Sequence, residues 1–295
     1  MDIKKMERAV EIAFGALLVL FLISVIFPKE RKFRQKSFQT AFFGAKAGIK
    51  SITLGKNSAE MALEKRGSGW IAEFSDGKKY QADKNTVDSF LAVLGEFRSA
   101  SVVAKKEKNW SSLGVDSGNA LAVSVLYDDD RSSTVFFGAQ GTGSAEISFR
   151  AQSGESVFQT KNDVSLYLRA DPSFWADPYL LASSGESAEN LQLLTFSDKN
   201  GDKFFSGAAL SEKASDVLSL RRGLICAARE GSSEADAHLR AVFLSGREIS
   251  LSFFSSDELY FVRSEIVEQN EKIEYWFEIS SWTFQNITAL LYQGS

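Results

Sequence analysis

The chain has 295 residues, 44% of them hydrophobic and 12% aromatic, which is ample material for a packed core and unlike the composition of a disordered chain. Residues 1–36 carry eight Lys/Arg against four Asp/Glu, so with a total of −4 the remainder stands near −8, a sign that repels phosphate backbones and argues against nucleic-acid binding. The single cysteine, Cys226, excludes an internal disulfide framework without fixing the compartment.

The first element is an anchor. Lys4, Lys5 and Arg8 precede 16 residues without a charge, 12–27, closed by Pro28. At 1.5 Å per residue the run covers roughly 24 Å, and extending it back to Ala9 gives about 30 Å, the thickness of a hydrocarbon core. Only Gly15 and Ser24 interrupt its apolar surface, whereas a soluble helix would show a polar face. Pro28-Lys29-Glu30-Arg31-Lys32 follows in place of a small-x-small cleavage site, and no cysteine follows to take a lipid. A single membrane-spanning helix is therefore expected, with the bilayer as its partner. Five basic residues after the run against three before it mildly favour a cytoplasmic C-terminal side, although that rule is weakest when a long domain follows. The basic stretch 29–36 suits lipid headgroups.

From residue 49 the pattern turns to short strands. Residues 52–54 and 61–64 flank a turn at 55–58, Gly67-Ser68-Gly69 precedes Trp70, and Asp76-Gly77 is a hairpin signal. Asp83 is a good N-cap for a helix whose Val87, Phe90, Leu91, Leu94 and Phe97 form one apolar stripe. A linker with Trp110 and Leu113-Gly114-Val115-Asp116 leads to strands at 121–127, 134–137, 147–150 and 157–159, with a turn at Asp128-Asp129-Asp130; residues 164–168 close the unit.

The second half reads as a degenerate copy. Residues 193–196, a turn at Asn200-Gly201 and Phe204-Phe205 resemble the opening hairpin. Ser211 can cap a helix facing inward with Val217, Leu218, Leu224 and Ile225, which would place Cys226 on that helix as a small core thiol. Residues 239–244 and 249–254 repeat the central hairpin, Phe253-Phe254 standing where Phe136-Phe137 stand, and residues 260–263 match 147–150, each ending in arginine, Arg263 and Arg150. The expected fold class is α+β: a single N-terminal transmembrane helix, then a β-rich soluble region of two related strand-helix-strand halves. The expected division is 1–36 for tip, helix and juxtamembrane segment, 37–181 for the first unit, a Ser/Ala/Gly-rich linker at 182–190, and 191–295 for the second unit.

The residues offer little chemistry. His238 is the one histidine and has no Cys or His near it, too few for a zinc site. Asp128-Asp129-Asp130 lacks the spacing of a calcium loop and reads as a solvated turn. Gly138-Ala139-Gln140-Gly141-Thr142-Gly143 lacks the Gly-Lys-Ser/Thr ending of a phosphate loop and reads as a hairpin connection. No catalytic, metal or cofactor residue is nominated. Trp70, Trp110, Trp175, Trp276 and Trp282 are read mostly as core or junction residues.

Several of these residues resemble a known pattern. The order Gly69-Trp70, Ala82-Asp83 before a helix, Leu113-Gly114-Val115-Asp116, Phe137-Gly138, then Phe149-Arg150 and Val157-Phe158 is similar to domain-of-unknown-function family 4340. The family's proline after Asp116 is absent, and phenylalanine replaces tyrosine at two positions. The resemblance covers residues 50–168 best. It implies a bacterial protein with one N-terminal membrane helix, an extracytoplasmic domain and a role beside ABC-type export systems. It supplies no catalytic residues. It gives structural readings instead: Trp70 as a core anchor, Asp83 as an N-cap, Gly114 and Gly138 as positions whose backbone forbids side chains. The expected function is a non-enzymatic accessory or assembly subunit of the inner membrane, contacting an ABC-type permease or another envelope protein. An envelope glycan-binding module and an anchored carboxylate-dependent hydrolase are the alternatives.

Overall fold

Alternating burial from residue 49 onward resolves into two antiparallel sheets. The computed structural model describes residues 48–292 apart from 57, 59, 68, 96–99, 139–144, 162, 229–233, 257–258 and 270. The expected anchor at 12–27, the basic stretch after it, Phe97 and the glycine-rich stretch 139–143 lie outside the described residues. Among the described residues no helix is long and apolar enough to cross a membrane.

The first sheet holds β1 (Ile49–Gly55), β2 (Met61–Arg66), β3 (Gly69–Phe74), β4 (Lys79–Gln81), β5 (Ser101–Ala104), β6 (Leu121–Tyr127), β7 (Ser132–Phe137), β8 (Glu146–Ala151) and β9 (Val157–Lys161). Their order is β4-β3-β2-β1-β6-β7-β8-β9-β5. The second holds β10 (Leu191–Asp198), β11 (Gly201–Phe205), β12 (Ile225–Cys226), β13 (Ala237–Phe243), β14 (Glu248–Ser256), β15 (Leu259–Glu268) and β16 (Glu271–Ser280), in the order β11-β10-β13-β14-β15-β16-β12. The helices are α1 (Lys84–Gly95), α2 (Pro172–Trp175), α3 (Gly207–Ser219) and α4 (Ser281–Tyr292).

Without β3 and β4, the two strand orders correspond one for one. Each has a hairpin, a helix, a short edge strand and a four-strand meander, and each edge strand returns to pair antiparallel with the last meander strand. Register agrees as well. One row of direct partners runs Gly55, Ala122, Phe136, Arg150 in the first sheet. The corresponding row runs Ser197, His238, Ser252, Arg263 in the second. Arg150 and Arg263 therefore occupy equivalent positions. The phenylalanine correspondence is offset by one residue: Phe253 matches Phe137, both on the buried face, and Ser252 stands at Phe136.

The hairpin β3-β4, which the second unit lacks, carries the first sheet to the second. Tyr80 on β4 meets Tyr275 on β16 with ring centroids 5.4 Å apart. Residues 182–190, expected as a linker, run against both units. Ser183 Oγ donates to Leu218 O at 2.7 Å, Lys84 N donates to Ser184 Oγ at 3.0 Å, and Arg247 Nη2 donates to Ala182 O at 2.7 Å. A continuous apolar core joins the halves, from Ile52 and Phe90 to Phe253 and Leu291.

Local chemistry explains most boundaries. Asp83 caps α1, its carboxylate accepting from Asn85 N at 3.1 Å and Thr86 Oγ1 at 2.6 Å, and Val87, Phe90 and Leu94 are buried. The second helix differs from its expected form. It opens at Gly207 after Ser206, so Ser211 lies inside it and bonds back to Gly207 O. It ends at Ser219, where Leu220 turns extended. Leu224 is thus exposed, and Ile225 and Cys226 form the edge strand β12 rather than a helical core face. Gly223 explains the change, because a Cβ there would collide with the Glu278 carbonyl as β12 docks on β16.

Candidate functional site

The motif residues of the first half converge on one place. β5 lies at the sheet edge and β6 in its middle, so residues 105–120 must cross β9, β8 and β7. This strap lies on the face carrying Phe136 and Arg150. The Arg150 guanidinium carbon sits 3.8 Å from the Trp110 ring centroid and 4.2 Å from that of Phe136. Its Nε donates to Val115 O at 2.7 Å, and Trp110 Nε1 donates to Glu155 O at 3.0 Å. Gly114 turns the strap in the left-handed region at φ 68° and closes the short 3-10 helix that ends at Leu113. Asp116 fixes the next turn through Gly118 N at 3.1 Å and Asn119 Nδ2 at 2.9 Å. The Asn119 amide holds its carboxyl below the usual range. Gly138 serves by its size rather than its torsion, since a Cβ there would strike the Leu113 carbonyl. This constellation is a clasp, with its polar groups turned on one another.

The equivalent row in the second half is built differently. His238 is exposed, with Nδ1 3.2 Å from the Oγ of the nearly buried Ser252. Arg263 neighbours Ser252 on one side and Trp276 on the other. Next to this row, at the end of the sheet, lies an open cleft of about 1000 Å³, lined among others by Asp198, Glu234, Asp236, His238, Tyr260 and Phe284. Tyr260 and Phe284 stack with centroids 4.0 Å apart. A groove in the first half measures about 430 Å³ and is lined by uncharged residues, among them Gly55, Ser117, Ala122, Ser124 and Phe136.

A third cluster was not legible in the sequence. Asp177 is fully buried and accepts from Tyr179 N at 2.9 Å and Ser184 N at 2.7 Å; burial pushes its carboxyl above the usual range. Arg222 donates through Nε to Asp177 O at 2.6 Å, through Nη2 to Ala176 O at 3.0 Å and through Nη1 to Gly223 O at 2.9 Å. Arg247, 4% exposed, lies 3.5 Å from Glu186 and 3.9 Å from Glu268. Arg222 gives its donors to main-chain carbonyls, and Arg247 gives one to Ala182 O beside its carboxylate neighbours, which fixes the 176–190 loop to the body. The only sequence signals were a carboxylate before Pro178 and a pair of arginines before Gly223, too common to read.

Tyr275 adds a pH dependence. Its hydroxyl is buried and faces that of Ser264, its direct partner on the neighbouring strand, too loosely for a well-formed hydrogen bond. Burial raises its pKa to about 12. Below about pH 10 the phenol is protonated in folded and unfolded chains alike, so full stability is present. From there towards about 12 only the unfolded chain ionises, and stability falls. Urea unfolding at pH 9 and 11 is expected to show a loss about 1 kcal/mol larger in the native chain than in Tyr275→Phe. At neutral pH that variant should be about as stable, because the hydroxyl it removes is buried with at most a weak contact to Ser264.

The remaining residues singled out by sequence fall into place. Trp70, Trp175 and Trp276 are buried, Trp110 is half-buried in the clasp, and Trp282 is 71% exposed. Asp128-Asp129-Asp130 forms the tip between β6 and β7, with Asp129 paired to Arg131 at 2.7 Å and Asp130 in the left-handed region. Among the described residues no group of three His, Cys, Asp or Glu could hold a metal ion.

Two antiparallel sheets, each with a helix and a meander and joined by an extra hairpin, define a β-rich protein of duplicated topology. A family model described as a domain of unknown function (DUF4340) matches residues 70–225, just over half of the chain, and the chain belongs to that family. No curated protein and no solved structure matches the chain.

Proposed function

We propose that this protein is a non-enzymatic, membrane-anchored accessory or assembly subunit, working beside an ABC-type permease or another envelope protein through contacts of its β-rich body. The observation that carries the reading is the uncharged run at 12–27, of membrane-spanning length, ahead of a large packed body. The body offers contact surface: Phe204, Leu224 and Trp282 are each about 70% exposed. Placing the body outside the cytoplasm rests on the family resemblance, against the mild charge bias of the flanks.

The hydrolase alternative loses its footing in the titratable groups. Asp177 is the one carboxylate among the described residues whose pKa is raised, and both its oxygens are taken by backbone N–H groups. It is a loop clamp rather than an acid facing a cleft. The glycan-binding alternative is reduced to Trp282 as an exposed indole.

Purification of the full chain from membranes in mild detergents is expected to bring down a membrane partner. A lone monomer under several gentle conditions would sink the reading. Protease treatment should digest the body in intact cells with an opened outer layer, and digestion only in inverted vesicles would place it in the cytoplasm instead.

A further inference from the structure

The chain holds three prolines, and two of them, Pro172 and Pro178, follow an aspartate. An Asp–Pro bond is open to attack by its own side chain. The carboxyl reaches its own carbonyl carbon by closing a five-membered ring, and the leaving nitrogen, a tertiary amide in the chain, departs as a basic secondary amine.

The two bonds are set differently. Asp177 is fully buried, and the bond after it is held from both sides: Asp177 N donates to Gln81 O at 2.8 Å, and Pro178 O accepts from Arg222 N at 3.1 Å. Asp177 Oδ1 accepts from Tyr179 N at 2.9 Å and Oδ2 from Ser184 N at 2.7 Å. The bond to Tyr179, two residues on, folds the carboxyl forward along the Asp177–Pro178 link. The carbonyl oxygen of that link accepts from Arg222 Nε at 2.6 Å, a charged donor on the atom where negative charge gathers during attack. Burial raises the carboxyl's pKa, so it keeps its proton more readily; its charged and titratable neighbours are Arg222, Asp83 and Tyr275. Asp171 repeats the forward fold, accepting from Ser173 N at 2.9 Å. It is exposed, however, and its carbonyl accepts from the neutral peptide N–H groups of Phe174 and Trp175. Buried as it is, Asp177 meets no outside substrate, and the electrophile beside it is its own carbonyl.

We propose that the Asp177–Pro178 bond is a self-cleavage site, with the Asp177 carboxyl as nucleophile and Arg222 stabilising the charge on the carbonyl oxygen. A carboxyl oxygen bonds to the Asp177 carbonyl carbon, the C–N bond to Pro178 breaks, and the carboxyl proton passes to the proline nitrogen. Water then opens the cyclic anhydride, leaving Asp177 as a new C-terminus with two carboxyl groups. The cut falls between the sheets: β1 to β9 precede it and β10 to β16 follow it. The two pieces stay together through the shared core. This inference does not depend on the membrane reading.

The full chain, purified in detergent with protease inhibitors and shown to be folded by circular dichroism, is held for days in mild acid. Intact-mass spectrometry then counts cuts at both Asp–Pro bonds, the bond at Asp171 serving as internal control. Cutting after Asp177 is expected to run at least about a hundredfold faster than after Asp171, the scale of a positioned nucleophile and one oxyanion donor. In urea the two rates should meet, because both bonds lose their setting. Arg222→Gln should erase most of the advantage while leaving the rate after Asp171 unchanged. Pro178→Ala keeps the nucleophile and the arginine but replaces the leaving group; it should also slow the cut, and it carries the test if Arg222→Gln fails to fold. No cut after Asp177, or equal rates at the two bonds in the folded chain, overturns the proposal. So does a folded variant that cuts as fast as the native chain.

Discussion

Arg150→Ala is expected to lower the unfolding free energy by about 2–4 kcal/mol, with the strap at 105–120 the first part to loosen. The arginine is 4% exposed, its guanidinium carbon lies close to the centroids of two rings, and it bonds the strap's Val115 carbonyl at 2.7 Å. Each ring contact contributes about 0.5–2 kcal/mol, and the charge-assisted bond about 1.5–3. Against these stands the cost of desolvating the cation, visible in the lowering of its pKa by burial. Alanine removes the plate, opens a slot between Trp110 and Phe136 and strands the carbonyl. Lysine should recover less than half of the loss, since a compact ammonium cannot stack between rings and donate sideways as a guanidinium does. Urea unfolding followed by circular dichroism measures the loss, and hydrogen exchange locates the loosening. A loss well under 1 kcal/mol would show that the strap is held by other contacts. Arg263→Ala, at the equivalent but more exposed position, should cost distinctly less.

Trp175→Ala should cost more, about 3–5 kcal/mol, the range for truncating a fully buried tryptophan. Trp175 is 0% exposed and ends the one-turn helix α2, which Asp171 caps and Pro172 opens. Its indole packs edge-on to Phe90 of α1 at 5.6 Å and to Phe174 at 5.1 Å, tilts against Tyr167 at 6.3 Å, and donates to Arg169 O at 2.7 Å. Its own carbonyl accepts from Asp83 N at 2.8 Å, so the residue also seats the start of α1. The void left by alanine cannot collapse without moving α1. Phe at this position keeps the ring contacts, loses the indole bond and should restore most of the stability. A midpoint shift in urea equal to that of an exposed control such as Trp282→Ala would refute the assignment of Trp175 as the keystone of this end of the core.

The hairpins were legible because their turns are spelled in backbone terms. Gly77 and Gly201 both adopt positive φ at the positions where Asp-Gly and Asn-Gly announced turns. The duplicated organisation was legible for the same reason: alternation and turns recur in the same order. What was hidden depended on distance. β5 and β12 are two to four residues long and exist only because a meander strand lies beside them. Residues 224–226 continue the apolar pattern of the preceding helix, so periodicity alone assigned them to it. The clasp was announced by its individual residues, Trp110, Gly114, Asp116, Gly138 and Arg150, but not by their meeting. The acceptor for Arg150 is a peptide carbonyl 35 positions away, and every residue carries one. Asp177 and Arg222 were missed on the same ground, because loop amides and carbonyls satisfy them.

The hairpin β3-β4 and the strand order also separate two kinds of boundary. The family match begins at Trp70 and stops at Ile225. A fragment cut at those limits would drop β1 and β2, the strands that connect β3 to β6. It would keep β10, β11 and α3 while discarding the whole meander of β13 to β16 on which they rest. The recognisable segment is thus out of phase with the folding unit, and recombination or expression at its edges would deliver two open sheets with unpaired interior strands. Pieces that respect the architecture break instead between α2 and β10, and even there each would bare the face that the Tyr80–Tyr275 contact now covers.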